Sequence, residues 1–219
     1  MVLRPNRDKI AAILAFNSIA VSDMSQGKKQ HSKKAATGSI RIIAGKHRGR
    51  KLPVLMAEGL RPTTDRVKET VFNWLMPYIH EANCLDCFAG AGSLGFEALS
   101  RGAAQVTLVE LNKAAAKQLQ ANKQLLNAND VTIKNTNSLD FLQSAPKQHY
   151  DLVFIDPPFR QDLVTQVAEL LNMGWLAKQA LIYVEMETQS NQPLPNNWHL
   201  LKEKIAGQVS YRLFQYTPE

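Results

Sequence analysis

The chain has 219 residues, 45% of them apolar, a composition that is ordinary for a globular protein and argues against a largely disordered chain. Its length suits one α/β domain with some extra, or two small domains. The net charge is +7, but residues 1–52 hold 12 Lys/Arg against 2 Asp/Glu, a balance of +10, while the remainder holds 14 against 17, a balance of −3. We therefore expect a polyanion partner for the N-terminal part, with nucleic acid favoured over an anionic membrane surface. A solvated basic tail is the alternative interpretation.

The first 39 residues carry no pattern typical of a folded domain. Residues 1–21 resemble a secretory signal peptide, with three basic residues before an apolar run over 10–21. Asn17 and Ser18 interrupt that run, which is also too short to span a membrane. We prefer to interpret this segment as a loose tail or an upstream extension, with Met24 as an alternative start. The polar and basic stretch 25–39 is predicted to be disordered.

A basic β-hairpin is predicted next. Two runs, 40–44 and 50–54, flank a loop over 45–49 that has the glycines and polar residues of a hairpin turn. Five cationic residues crowd this ribbon: Arg41, Lys46, Arg48, Arg50 and Lys51. Because the ribbon carries few aromatic residues, we expect it to bind phosphates and position a nucleic acid rather than read its bases.

The segment 60–64 leads into a predicted helix. Asp65 or the residue before it caps this helix, and Pro77 ends it. Three cationic residues lie near its start: Arg61, Arg66 and Lys68. They face either a ligand such as RNA or simply solvent, and the sequence leaves both interpretations open.

From residue 83 onwards, strand and helix patterns alternate. The predicted strands cover 83–88, 105–110, 131–135, 151–155, 180–186 and 208–216, and the predicted helices cover 93–101, 112–126, 138–144 and about 161–172. Residues 193–198 are expected to form a loop. This alternation predicts an α/β fold with a parallel sheet covered by helices on both faces. Since ligands of such sheets bind beyond the carboxyl ends of the strands, the chemistry is expected there.

The two cysteines do not form a convincing metal or redox site. Cys84 and Cys87 lie in an apolar strand, where residues three apart face opposite sides of the sheet, so we interpret them as buried thiols. The five histidines show no metal-binding spacing, and no metal is expected.

A glycine-rich turn after the first strand of the main domain predicts a nucleoside-containing cofactor. Residues 90–95 fit the pattern G-x-G-x-x-G, and Glu110 stands 20 residues after Gly90, where it can accept ribose hydroxyls. A dinucleotide fits this pattern too. However, Asp86 places a negative charge at the strand end, which suits the cationic sulfonium of S-adenosylmethionine (SAM) and repels a pyrophosphate. The predicted cofactor-binding residues are Asp86, Ala89, Gly90, Gly92, Glu110, Leu111, Asn137 and Ser138. Asn137 is equally a common helix cap.

The fourth strand ends in an acid, two prolines and an aromatic residue. Asp156 and the carbonyl of Pro157 can accept hydrogen bonds from an amino group, Pro158 stiffens the turn, and Phe159 offers a flat face to a planar ring. We predict these four residues to be catalytic, with Asp156 ionised as hydrogen-bond acceptor and potential proton acceptor. Phe159 is predicted to stack on a base extruded from its helix.

With these residues assembled, the chain resembles a known family. The segments 86–95 and 156–159, with Glu110, look like the motifs of class I SAM-dependent methyltransferases that act on exocyclic amino groups of bases. Four further segments, 41–45, 48–52, 61–67 and 207–212, are similar to the RsmD-type bacterial 16S rRNA guanine-N2 methyltransferases. The resemblance runs from about residue 40 to residue 216.

The resemblance implies a Rossmann-like class I methyltransferase sheet with helices on both faces, preceded by a small basic N-terminal β-hairpin and helix. The expected divisions are a tail over 1–37, the hairpin and helix over 38–80, and the methyltransferase domain over 81–219. It implies SAM-dependent methylation of a guanine N2 in 16S rRNA, within the assembling 30S subunit. We expect a cytoplasmic protein that contacts no membrane; its oligomeric state is left open, with a monomer favoured. The alternatives are a DNA amino-methyltransferase, a dinucleotide oxidoreductase and a non-catalytic RNA-binding assembly factor.

Overall fold

The computed structural model of the chain describes residues 37–55, 65–159 and 161–218. Several predictions fall on residues outside this described part: the signal-like leader, the alternative start at Met24, the tail as far as residue 36, and Arg61 with its neighbouring segment 60–64.

An antiparallel ribbon opens the described part of the chain. Strand β1 (Thr37–Arg41) pairs with β2 (Lys51–Leu55), and Ile40 lies opposite Leu52. The predicted hairpin is therefore present, with β1 starting three residues earlier than expected. The prediction that 25–39 is disordered is wrong for 37–39, because these residues pair with 53–55.

A seven-stranded sheet follows helix α1 (Asp65–Leu75). Its elements are, in chain order, β3 (Asn83–Asp86), α2 (Ser93–Ser100), β4 (Gln105–Val109), α3 (Lys113–Leu125), β5 (Val131–Lys134), α4 (Ser138–Gln143), β6 (Tyr150–Ile155), α5 (Leu163–Leu171), β7 (Leu176–Glu187), β8 (Trp198–Ala206) and β9 (Val209–Tyr216). The strand order is β5-β4-β3-β6-β7-β9-β8. Strands β3 to β7 pair in parallel, as predicted, whereas β9 pairs antiparallel with both β7 and β8. Strand β8 was not predicted.

Helices cover both faces of the sheet, which confirms the predicted layers. Helices α1, α2 and α3 pack with the ribbon into one apolar cluster, and α4 and α5 pack into a second. Cys84 belongs to the first cluster and Cys87 to the second, and both thiols are free and buried. The two cysteines therefore face opposite sides of the sheet.

A buried carboxylate joins the ribbon to α2. Glu97 is fully buried and accepts hydrogen bonds from the backbone N–H groups of Ile43 (2.8 Å) and Ala44 (3.1 Å). It also accepts from Nε of Arg101 at 2.8 Å, and the ammonium of Lys68 lies 3.8 Å away. The charge of Glu97 is thus compensated inside the core, and the chain after β1 is held against α2.

The ribbon loop also follows the end of α2 closely. Gly45 has φ +80°, and a Cβ there would lie 1.8 Å from the carbonyl oxygen of Ser100. Next to it, the N–H of Lys46 donates to that same carbonyl at 2.7 Å. The Ser100 hydroxyl donates to the Ala44 carbonyl at 2.5 Å and accepts from the N–H of His47 at 2.9 Å. Only glycine fits at position 45 without moving the loop.

Lys68 is a structural residue. The prediction that it faces a ligand or solvent is wrong, because its ammonium is buried and donates to the carbonyl of Arg41 at 2.6 Å. Burial lowers the pKa of Lys68, and the neighbouring Glu97 opposes that shift.

Candidate active site

Four acids lie side by side at the carboxyl edge of the parallel strands. Glu110 follows β4, Asp86 ends β3, Asp156 follows β6, and Glu185 lies near the end of β7. Since the spatial order is β4-β3-β6-β7, these acids form a row across four adjacent strands. All four line one cavity of about 800 Å³. We call them the acid row.

Asp86 is buried with one oxygen unsatisfied. The backbone N–H groups of Phe88 and Gly95 donate to its carboxylate, but Oδ1 has no hydrogen-bond partner. Burial raises the pKa of Asp86 to about 7, against the effect of those two hydrogen bonds. The sequence predicted a negative charge here. A cation in the cavity would satisfy both the unpaired oxygen and that charge.

The glycine turn shapes the neighbouring part of the cavity. Gly90 and Gly92 have φ of 51° and 77°, conformations that side chains rarely adopt, and Gly92 precedes α2 directly. Glu110 accepts hydrogen bonds from the N–H of Gly90 (2.8 Å) and from the N–H of Asn112 (2.6 Å). The turn therefore fixes the Glu110 carboxylate at the cavity wall. The sequence analysis predicts that this carboxylate accepts the ribose hydroxyls of the cofactor.

Ala89, Leu111, Asn137 and Ser138 line the cavity, whereas Gly92 does not and instead faces the side chains of Leu119 and Phe96. Two of the lining side chains are engaged elsewhere. The side-chain oxygen of Asn137 caps α4 by accepting from the N–H of Leu139 at 2.8 Å. The Ser138 hydroxyl donates to the carbonyl of Cys87. Ala89 and Leu111 are cavity-lining as well, with Leu111 exposed. Their contacts with a cofactor stay a prediction.

The Asp-Pro-Pro-Phe turn stands at the middle of the acid row. Asp156 is partly buried, Pro157 is buried, and Pro158 and Phe159 are exposed, with 45% of Phe159 accessible. Burial, and then the charges of Glu185 and Asp86, raise the pKa of Asp156 well above its ordinary value. The sequence predicted an ionised Asp156, and these neighbours make its ionisation less favourable, so its protonation state stays a prediction.

Glu185 was missed by sequence reasoning. It is only 7% exposed, lines the cavity, and accepts a hydrogen bond from the hydroxyl of Tyr183 at 2.6 Å. Burial raises the pKa of Glu185, and the Tyr183 hydrogen bond opposes that shift. Part of a signal was available: Glu185 follows four buried apolar or aromatic residues in a strand, as Asp156 does, but no prolines follow it.

Segments from both ends of the described chain complete the cavity wall. Ile40, Val54, Leu55 and Val67 contribute from the ribbon and α1, and Ala206, Gly207, Val209 and Tyr211 contribute from the β8–β9 hairpin. The ribbon thus borders the cavity with its apolar face.

The predicted RNA-binding side chains within the described ranges lie at the surface. They are Arg41, Lys46, Arg48, Arg50, Lys51 and Arg66. Arg50 has a structural contact as well, since its Nη2 donates to the carbonyl of Leu125 at the end of α3 at 3.0 Å. Their role in binding RNA stays a prediction.

Within the described residues, we find no group of three or more His, Cys, Asp or Glu side chains able to hold a metal ion. None of the helices described there is both long and apolar enough to cross a membrane.

Comparison with known proteins gives a consistent result. The family model described as "Conserved hypothetical protein 95" matches residues 40–215. A Haemophilus influenzae protein named "Ribosomal RNA small subunit methyltransferase D" is 58% identical over 82% of this chain and 95% of its own length. The Escherichia coli K12 protein of the same name is 53% identical over 86% and 94%. A solved Escherichia coli structure, "Putative methyltransferase yhhF", superposes with TM-score 0.76 at 53% identity, covering 83% of this chain and all of that one.

Proposed function

Because the chain belongs to the conserved hypothetical protein 95 family and is more than half identical to two proteins named "Ribosomal RNA small subunit methyltransferase D", we propose that it methylates ribosomal RNA. More specifically, it transfers a methyl group from SAM to the exocyclic N2 of a guanine in 16S rRNA, acting in the cytoplasm on the assembling small subunit. The observation that carries this proposal is one cavity that joins the glycine turn, the Asp-Pro-Pro-Phe turn and the apolar face of a basic ribbon.

The chemistry of the acid row fits SAM. Asp86 and Glu110 lie on adjacent strands beside the glycine turn, so one can face a cation while the other accepts ribose hydroxyls. The orphaned Oδ1 of Asp86 offers an acceptor to a positively charged group. SAM, when bound, supplies an electrophilic methyl group on a sulfonium that leaves as a neutral thioether.

Asp156 and Pro157 orient the nucleophile. An exocyclic amine is weakly nucleophilic because its lone pair is delocalised into the ring. Hydrogen bonds from its two N–H groups to the Asp156 carboxylate and the Pro157 carbonyl favour a pyramidal nitrogen whose lone pair points at the methyl carbon. Asp156 would accept the proton that the nitrogen releases when it takes up the methyl group. Positioning provides most of the rate.

Phe159 and the ribbon hold the RNA. With nearly half of its surface accessible at the cavity mouth, Phe159 can stack on a base that has left its helix. The cationic side chains of the ribbon can bind phosphates beside the cavity, because the same ribbon supplies Ile40 and Val54 to the cavity wall.

The decisive experiment offers labelled SAM to undermethylated 30S particles, to naked 16S RNA and to duplex DNA, and identifies the modified nucleoside. We expect N2-methylguanosine from one of the RNA substrates and no product from DNA. Asp156→Ala should abolish transfer while leaving SAM affinity within a few-fold. Asp140→Ala, a change of the same type at an exposed position of α4, is the matched control. Labelled DNA, or an Asp156→Ala enzyme with near-normal turnover, would contradict the proposal.

A second experiment tests the ribbon. Lys46→Ala combined with Arg48→Ala should weaken RNA binding and lower the slope of log affinity against log salt by about 1–2, since each phosphate contact contributes slightly less than 1. Arg50 is left intact because it also binds the end of α3. The control replaces Lys202 and Lys204, two exposed residues of β8. A salt slope equal to that of wild type would show that the ribbon is an ordinary solvated surface.

A further inference from the structure

Glu185 has no role in the methyl transfer described above, yet it is a buried acid in the wall of the reaction cavity. We propose that Glu185 is a specificity-determining residue that accepts a hydrogen bond from the ring N1–H next to the reacting amine, and so selects guanine over adenine and cytosine. This inference rests on the proposed function and extends it to the choice of base.

The sheet places Glu185 beside Asp156 and on the same face. In the parallel pairing of β6 with β7, Phe154 lies opposite Tyr183 and Ile155 opposite Val184, so Asp156 and Glu185 come next along the two strands. Neighbouring strands lie about 4.8 Å apart. Phe154 and Tyr183 both belong to the apolar cluster on the ribbon side, and Asp156 and Glu185, two residues further on, point to that side as well.

The free acceptors match the donors of guanine in number. The hydroxyl of Tyr183 occupies Oε1 of Glu185, which leaves Oε2 as the acceptor for one further N–H. The Asp156 carboxylate and the Pro157 carbonyl provide two acceptors for the two hydrogens of the amine. Guanine presents this set along one edge, with N1–H directly beside the N2 amino group.

Adenine and cytosine present the opposite pattern. In both bases the ring nitrogen beside the exocyclic amine, N1 of adenine and N3 of cytosine, carries a lone pair instead of a hydrogen. A carboxylate facing that lone pair would leave two acceptors in contact, and the cost of the unpaired groups would reject the base. The Asp-Pro-Pro-Phe turn alone cannot make this distinction, because all three bases carry an exocyclic amine.

The test uses an RNA substrate that the wild-type enzyme methylates, prepared with either guanosine or 2-aminopurine riboside at the target position. 2-Aminopurine keeps the amine at C2 but has a lone pair at N1. We expect wild-type kcat/KM to be at least about 100-fold higher for guanosine. In Glu185→Gln and Glu185→Met, kcat/KM for guanosine should fall about 10- to 100-fold, and the ratio between the two bases should fall at least about tenfold. 2-Aminopurine also lacks O6. This difference affects the wild-type enzyme and the Glu185 variants alike, so its effect cancels when their guanosine to 2-aminopurine ratios are compared.

Controls separate the possible failures. Glu187→Gln makes the same change two residues further along β7, outside the cavity lining, and should keep the wild-type ratio. SAM affinity, measured by calorimetry, should stay within a few-fold in every variant. If wild-type enzyme does not methylate guanosine, the proposed function fails. If it does, but uses 2-aminopurine equally well, or if both Glu185 variants keep the wild-type ratio, the assignment of Glu185 is overturned while the proposed function stands.

Discussion

Replacing Asp86 by Asn should stabilise the ligand-free protein at alkaline pH and weaken its binding of SAM. Burial raises the pKa of Asp86 from 3.8 to about 7, and each pKa unit corresponds to about 1.4 kcal/mol. An acid whose pKa is higher in the folded state contributes stability below its unfolded pKa and loses it as pH rises through the folded value. Keeping Asp86 ionised above pH 7 thus costs on the order of 4 kcal/mol.

The asparagine recovers only part of that cost. Its amide oxygen can accept from the N–H groups of Phe88 and Gly95, but its NH₂ group would occupy the position of Oδ1, which has no partner. A buried unpaired donor costs about 1–3 kcal/mol. The net gain at pH 8 is therefore about 1–3 kcal/mol, or roughly 5 °C in Tm for a chain of this size.

Thermal unfolding of wild type and Asp86→Asn between pH 5 and pH 8, with and without SAM, measures this effect. At pH 5, where Asp86 is mostly protonated, the variant should equal wild type or be less stable; at pH 8 the order should reverse. SAM affinity of the variant should fall about 10- to 100-fold, because a charged partner is lost. A variant that is less stable than wild type at pH 8, or a difference that does not depend on pH, would refute this reasoning. Asp140→Asn, exposed on α4, is the control.

Three further outcomes follow from the described contacts. Gly45→Ala should displace the ribbon loop from Ser100, because the added Cβ would lie 1.8 Å from the Ser100 carbonyl oxygen. The measurement is RNA affinity. The control is Gly49→Ala, where the added Cβ meets open space. Lys68→Met removes one cation from the buried carboxylate of α2 and should cost about 2–3 kcal/mol in urea unfolding, and no loss would contradict the network. Because the pKa of Asp156 is raised, the rate of methyl transfer should fall as pH decreases from alkaline values. Glu185→Gln removes a like charge and should move that decline to lower pH. An unchanged pH profile would contradict the electrostatic interaction between Glu185 and Asp156.

Sequence patterns were sufficient to predict the strands that are buried on both faces of the sheet, because such strands are continuous apolar runs. The five parallel strands and their helices were predicted on that basis. Of the residues singled out at their carboxyl ends, Asp86, Gly90, Glu110 and Asp156 line one cavity, whereas Gly92 does not. Asp156 was recognised because the two prolines after it end the strand visibly. Glu185 lacks such a signal, since β7 continues for two residues beyond it.

The remaining errors arise from positions and contacts that exist only in the folded chain. Strand β8 is exposed along nearly all of its length at the edge of the sheet, so its sequence shows neither alternation nor an apolar run. Lys68 resembles an ordinary helix-surface lysine until Glu97, which lies 29 residues later, reaches it from α2. Contacts of this separation leave no local pattern in the sequence.

The strand order β7-β9-β8 has a consequence for how this site forms during translation. Strand β8 leaves the ribosome before β9, yet among the described strands it pairs with β9 alone, so it cannot join the sheet until β9 has emerged. Four residues of the β8–β9 hairpin, Ala206, Gly207, Val209 and Tyr211, also line the cavity, and Tyr211 pairs with Glu185. A nascent chain can therefore assemble the acid row early, because domains fold as the N-terminal part emerges. It completes the cavity wall beside Glu185 only when β9 is made. On the proposed function, a growing chain should therefore bind SAM before it can select a base.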